Sequence, residues 1–207
     1  PKVVNADDPV ALELGRRHGA VTFGLSEGAD LRAVDVVATD GSFTFAVEGP
    51  DGARLGEVHL PMRGIYNVRN ALAAMTMALE VGVSFDDITA ALAKFGGVAR
   101  RFDVRGADGG ATFVDDYAHL PTEVAAALAA GRDTAPERLV AVFQPHRYSR
   151  LAALAPQFGS SFVDADVLAV TDVYSAGETP IPGISGKAVV DAVLAEDPFR
   201  SVAYLPR

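Results

Sequence analysis

Cysteine is absent from the 207 residues, which removes disulfides, thiolate zinc sites and cysteine nucleophiles together. Its absence suits a reducing, cytoplasmic setting. Long apolar runs are missing too. The longest uncharged stretch, Leu151 to Val163, contains Pro156, Gln157, Gly159, Ser160 and Ser161. It falls short of the ~18 consecutive apolar residues that a membrane span needs. Positive charge is scarce: 18 Lys and Arg against 27 Asp and Glu give a formal net charge of -9 and a pI near 4.8. Such a surface repels a nucleic-acid backbone, and no basic stripe is present to reverse that. A polyanionic ligand must be caught by a few local cations. The opening residues, PKVVNADDP, carry no apolar signal core and read as the inside of a domain.

What is present suits a globular protein. Apolar residues make up 49% and charged residues 22%, enough for a sizeable core, and the length allows one large domain or two small ones. Val3-Val4 reads as a strand end, followed by a turn and a helix that Asp8 caps, Pro9 opens and Gly19 stops. Val21 to Gly24 is a second short strand. Three β-rich runs follow, Ala33 to Ala38, Ser42 to Val47 and Leu55 to Leu60. They are separated by Asp40-Gly41 and by Pro50-Asp51-Gly52, which predicts an antiparallel meander. Asn67 to Leu79 has helical texture, and Ser84 to Asp87 opens another helix to about Lys94, which Gly96-Gly97 ends.

Arg105 to Gly110 is polar and Gly-rich, and the expected domain boundary lies there, giving domains 1–102 and 103–207. Beyond it strands and helices alternate: strand Ala111 to Val114, helix Pro121 to Ala130, strand Leu139 to Phe143, helix Tyr148 to Phe162, strand Val167 to Thr171, helix Gly186 to Leu194, and a strand from Ser201. That rhythm predicts right-handed βαβ units and a Rossmann-like, doubly wound, mostly parallel sheet, one whose strands continue past the last residue.

Ligands in such sheets sit at the carboxyl ends of the strands. Here those ends read Asp115-Asp116-Tyr117-Ala118-His119-Leu120, Gln144-Pro145-His146-Arg147-Tyr148-Ser149-Arg150 and Asp172-Val173-Tyr174-Ser175-Ala176-Gly177-Glu178. Three successive ends dense in Asp, His, Arg and Tyr make one wall of a site. Arg147 and Arg150, one helical turn apart, suit a phosphate or a carboxylate.

The segments RGIYNVRNALAA (63–74), GGVARRF (96–102), DDYAHLPTEV (115–124), FQPHRYSR (143–150) and DVYSAGETPIPG (172–183), in this order, resemble the Mur ligases over nearly the whole chain. The resemblance implies α/β architecture, with part of the family's central ATP-binding domain ahead of most of its C-terminal domain. It also implies a cytoplasmic, ATP- and Mg2+-dependent ligase of peptidoglycan precursor synthesis, and hence of cell-wall biogenesis, cell shape and division. The activity implied is the addition of L-alanine to UDP-N-acetylmuramate through an acyl phosphate. A murein-tripeptide recycling ligase of the same family stays open as an alternative, as does an inactive module binding a nucleotide sugar or a partner.

Residue by residue, the resemblance implies adenine contacts for Asn67 and Asn70 after Gly64, and a phosphate contact for Arg101. Asp115 and Asp116 are placed beside the nucleotide, and Tyr117, His119, His146, Arg147 and Arg150 beside the substrates. Arg101 and His119 take the catalytic roles. The family has His where Tyr66 and Leu120 stand here, so a role needing an imidazole directly after His119 has no side chain to perform it. The family's phosphate loop and magnesium ligands are not found, no metal ligand is assigned, and these 207 residues are expected not to turn over alone.

Gly183-Ile184-Ser185-Gly186-Lys187-Ala188 mimics a phosphate loop, but Ala188 lacks the hydroxyl that holds magnesium, so this reads as a helix entry. Plainer readings accompany several residues. Asn67 also suits a helix N-cap, Asp115 a cap for the next helix, and Asp116 a solvated position. Tyr174 and Glu178 suit loop structuring, and Met62, Met75 and Met77 packing. His18 and His59 read as surface residues, and Asp86-Asp87 as serving a helix N-terminus.

Overall fold

A computed structural model describes residues 1–206, in two units. The first, Pro1–Val98, runs β1 (Val3–Asn5), α1 (Pro9–His18), β2 (Val21–Gly24), β3 (Leu31–Thr39), β4 (Ser42–Glu48), β5 (Arg54–Leu60), α2 (Ile65–Glu80) and α3 (Phe85–Leu92). Asp8 caps α1 by accepting from the Ala11 amide at 2.8 Å, and Gly19, at φ 59°, ends it in the left-handed region that glycine adopts freely. The sheet order is β1-β2-β3-β4-β5. Strands β1 to β3 pair in parallel and β3 to β5 form the antiparallel meander.

Alternation along β4 and β5 turns Phe45, Val47, Val58 and Leu60 into a core completed by Val68, Leu72 and Met75 of α2. Full burial of each such side chain contributes about 1.5–3 kcal/mol. Asp7, in the turn after β1, is bonded by Arg69 Nε of α2 at 2.7 Å, and also by the Leu25 and Ser26 amides and the Ser26 hydroxyl. Burial alone would raise its carboxyl pKa, but these bonds outweigh burial and hold it below the ordinary value.

The second unit begins at Ala99. It runs β6 (Asp103–Asp108), β7 (Ala111–Asp115), α4 (Pro121–Arg132), β8 (Val140–Phe143), α5 (Tyr148–Leu154), a 3₁₀ turn (Ala155–Phe158), β9 (Val167–Thr171), α6 (Lys187–Glu196) and β10 (Val202–Leu205). Strands β10, β9 and β8 form a parallel sheet in that order. Leu168 and Val170 of the central strand are buried against Phe143, Phe158, Phe162, Val189 and Val193.

Three features differ from the sequence reading. Arg105 to Gly110 does not hold the domain boundary: Asp103–Asp108 is a strand, and Gly109 and Gly110, both at positive φ, turn it into β7. Strand β7 therefore pairs antiparallel with β6, and among the described residues it does not join the parallel sheet. The helix expected from Tyr148 to Phe162 ends at Leu154, because Pro156 has no N–H to continue the ladder and the chain tightens into the 3₁₀ turn. The second unit also starts upstream of Asp103. Its first residues are tied to the end of β7, with the Tyr117 amide donating to Arg100 O and the Phe102 amide to Asp116 Oδ2, both at 2.8 Å. None of the described helices is long and apolar enough to cross a membrane.

Candidate active site

The ends of β7, β8 and β9 converge within the second unit. An isolated parallel bridge joins His146 to Tyr174, with the Arg147 amide donating to Tyr174 O at 2.9 Å and the Tyr174 amide to Pro145 O at 2.8 Å. Around it the rings of Tyr117, His119, His146 and Tyr174 form one cluster. Centroids lie 5.1 Å apart for Tyr117–His119, 5.9 Å for His119–His146, 6.0 Å for Tyr117–His146 and 5.5 Å for His146–Tyr174. Aromatic rings at such spacings contribute specific orientation beyond area burial. The chain reaches these positions under backbone strain. Arg100, Phe102, Arg147 and Ala176, none of them glycine, all lie at positive φ at this end of the unit. Strained residues of this kind concentrate at functional sites.

Cations ring the cluster. The Arg100 guanidinium stands 4.7 Å from the Tyr117 ring centroid and 3.7 Å from Asp115, while Arg101 stands 6.0 Å from the same ring and 3.9 Å from Glu123. Arg147 faces Glu178 at 3.7 Å, and Arg150 Nη1 donates to His146 Nδ1 at 3.0 Å. A guanidinium cannot accept, so Nδ1 of His146 is bare and the neutral ring carries its proton on Nε2. Burial first, then the charges of Arg150, of His119 when it is protonated, and of Arg147, hold the His146 pKa below its ordinary value, against Glu178 acting the other way. His119 Nδ1 lies 2.8 Å from Tyr117 O, an acceptor only, so that nitrogen carries the proton and a neutral His119 keeps a lone pair on Nε2.

The structure thus brings together Arg101, Asp115, Tyr117, His119, His146, Arg147 and Arg150. It gives Asp116 an internal task instead of a solvated one: its two oxygens accept from the Phe102 and Ala118 amides, both at 2.8 Å. Asp115 ends β7 and does not cap α4, whose N-cap is Leu120. Glu178 anchors the third loop to the second, taking the Ser149 hydroxyl at 2.6 Å and its amide at 3.0 Å. Those two bonds, with Arg147 nearby, hold its pKa low.

Asn67 and Asn70 lie in the first unit. Gly64, at φ 81°, is the N-cap of α2, so Asn67 is three residues inside the helix and not its cap. Asn67 is buried, donates to Arg63 O at 2.7 Å and accepts from Asn70 Nδ2 at 3.2 Å. Exposed Asn70 keeps a free carbonyl oxygen and a second N–H, the donor–acceptor pair that an adenine edge needs. Sequence reasoning missed Arg100 and Glu123. For Glu123 the signal was present, a glutamate three residues after a helix start that lacks a capping side chain.

Residues 1–78 match the Mur ligase middle domain, and residues 100–206 match the family described as Mur ligase, glutamate ligase domain. The chain is 48% identical over 174 residues to the UDP-N-acetylmuramate–L-alanine ligase of Geobacter sulfurreducens, covering 84% of this chain and 37% of that protein. It is 50% identical over 172 residues to the enzyme of the same name from Trichlorobacter lovleyi, covering 83% and 38%. Among solved structures, the UDP-N-acetylmuramate-alanine ligase of Thermotoga maritima superposes with a TM-score of 0.77 at 28% identity, over 99% of this chain and 43% of that one. A murein peptide ligase from Psychrobacter arcticus gives 0.68 at 25%, over 99% and 43%.

Proposed function

Because the chain belongs to the Mur ligase family, we propose that its protein joins L-alanine to UDP-N-acetylmuramate at the expense of ATP, in the cytoplasm. Residues 1–98 are assigned to the ATP-binding domain and 99–207 to the C-terminal domain, a boundary four residues before the one expected from the sequence and supported by the bonds of Arg100 and Phe102 to Tyr117 and Asp116. The single observation that carries the activity is the convergence of three strand ends on one cluster of two imidazoles, two phenols and four arginines.

In this reading the lactyl carboxylate is first phosphorylated. The amine of L-alanine then attacks the acyl carbon, the C–N bond forms, and the C–O bond to phosphate breaks. Arg147 and Arg150 hold a carboxylate by the paired hydrogen bonds a planar guanidinium offers. Nε2 of His119 accepts the proton that the amine sheds, and Nε2–H of His146 donates to substrate oxygen. Arg101 balances charge on the transferring phosphoryl group. Asn70, steadied by Asn67, meets adenine. Magnesium would supply further charge balance to the phosphates, but no group of three His, Cys, Asp or Glu among the described residues could hold it, so no step is assigned to it.

The test uses the whole protein with ATP, magnesium and UDP-N-acetylmuramate. Phosphate release that depends on L-alanine supports the reading. Release that depends on a free murein tripeptide in its place moves the chain to the recycling ligases, and release with neither leaves a binding module.

A further inference from the structure

Glu123, in the first turn of α4, touches more of the site than any role so far given to it explains. Its Oε2 accepts the His119 and Leu120 amides at 3.0 and 3.1 Å and lies 3.4 Å from His119 Nδ1. Its Oε1 faces Arg101 Nη1 at 3.9 Å. The N-cap, Leu120, has no side-chain oxygen, so the amides at this helix entry rely on Glu123 reaching back. The carboxylate is therefore divided: one oxygen fixes the backbone that carries His119, and the other meets the guanidinium of Arg101. Burial would raise its pKa, but the two amides, then the charges of His119 and Arg101, outweigh burial and keep it ionised.

We propose that Glu123 is a positioning residue that sets Arg101 and His119 against one carboxylate, so that the arginine serving the phosphoryl group and the imidazole serving the amine are placed together. This rests on the ligase reading above. The competing role is capping alone. An exposed ion pair at 3.9 Å adds little to stability, so the consequence of the Arg101 contact is geometric and should be read in kinetics.

Glu123→Gln separates the two roles, because the amide oxygen still accepts from the His119 and Leu120 N–H groups while the charge facing Arg101 is gone. In the whole protein, kcat is expected to fall about tenfold, which is about 1.4 kcal/mol, with KM for the amino acid nearly unchanged and the melting temperature within about 2 °C. Combined with Arg101→Ala, it should cost nothing further, since the contact it serves is already absent. Glu123→Ala frees the loop as well. In the 15N spectrum of labelled histidine, the His119 ring should then change from the Nδ1–H form to a mixture of tautomers. Wild-type kcat in Glu123→Gln, or losses that multiply with Arg101→Ala, would overturn the proposal and leave a helix cap. No amide formation by the unmutated protein sinks the ligase reading itself, and this proposal with it.

Discussion

In the first unit, Asp7, Arg69, Asn67 and Asn70 direct most of their hydrogen bonds to one another and to nearby backbone. In the second, Arg100, Arg101, Arg147 and Arg150 gather around exposed or half-exposed rings, each beside one carboxylate or imidazole. The histidines divide in the same way. His18 ends a helix and His59 lies on an outer strand, while His119 and His146 face each other across 5.9 Å. A polar group whose bonds are all internal contributes to stability, and one held in place with bonding capacity left over is available to a ligand. The comparison predicts that substitution of Asp7 or Arg69 shows up in melting, and substitution of the second unit's arginines in kinetics.

The largest expected effect lies in the first unit. Asp7→Ala strands the Arg69 guanidinium and removes the acceptor for two amides and a hydroxyl. The loss should be about 3 kcal/mol of stability, measured by denaturant unfolding. Asp7 also gives this unit an acid limb. Its folded pKa is lowered from 3.8, so the unfolded chain binds the proton more readily. The contribution is complete above about pH 3.8 and is lost as pH falls through the lower folded value. The Asp7→Asn variant should therefore lose less stability between pH 5 and pH 2 than the wild type, measured by denaturant unfolding across that range. Equal acid slopes would break this half of the comparison.

Next come the arginines of the second unit. Arg147→Ala and Arg150→Ala should each lower kcat/KM about ten- to a hundredfold, or about 1.5–3 kcal/mol, with melting nearly unchanged. Arg147→Lys should recover only part of this, because an ammonium keeps the charge but not the planar fork. If melting falls and kinetics hold, the two arginines support the fold, as Arg69 does, and the two units are alike after all.

The sequence made much of this legible. Alternation in β4 and β5 and the Asp8-Pro9 start of α1 are local signals, and the structure follows them within a residue or two. The strand-end motifs placed His146, Arg147 and Tyr174 together, because β8 and β9 belong to one parallel sheet and end on the same edge. His119 reaches them from β7, which pairs with β6 outside that sheet. Three things were not legible. Strand β6 is exposed almost throughout and carries Gly106 in its middle, so its composition matched a domain boundary. Asp7 meets Arg69 across 62 positions, a pairing that no local pattern encodes. Asn67 resembled a cap because the true cap, Gly64, has no side chain to advertise it.

The smallest expected effect tests whether the second unit has another phosphate site. The stretch Gly183 to Ala188 has the spacing of a phosphate loop, yet the structure uses it to start α6, with Gly186 as N-cap pressed beneath the Thr171 carbonyl. A Cβ there would lie 2.0 Å from that oxygen, so the glycine is explained by close approach of backbone and requires no ligand. Lys187 points its ammonium to Asp191 one turn on, and both side chains are largely exposed. Such a helical pair contributes about 0.3–0.5 kcal/mol. Lys187→Ala should therefore shift melting by no more than about 2 °C and leave KM for ATP unchanged. A rise in KM for ATP of tenfold or more would show that this helix entry binds phosphate, and that the ring-and-arginine cluster is not the second unit's sole contact with the nucleotide.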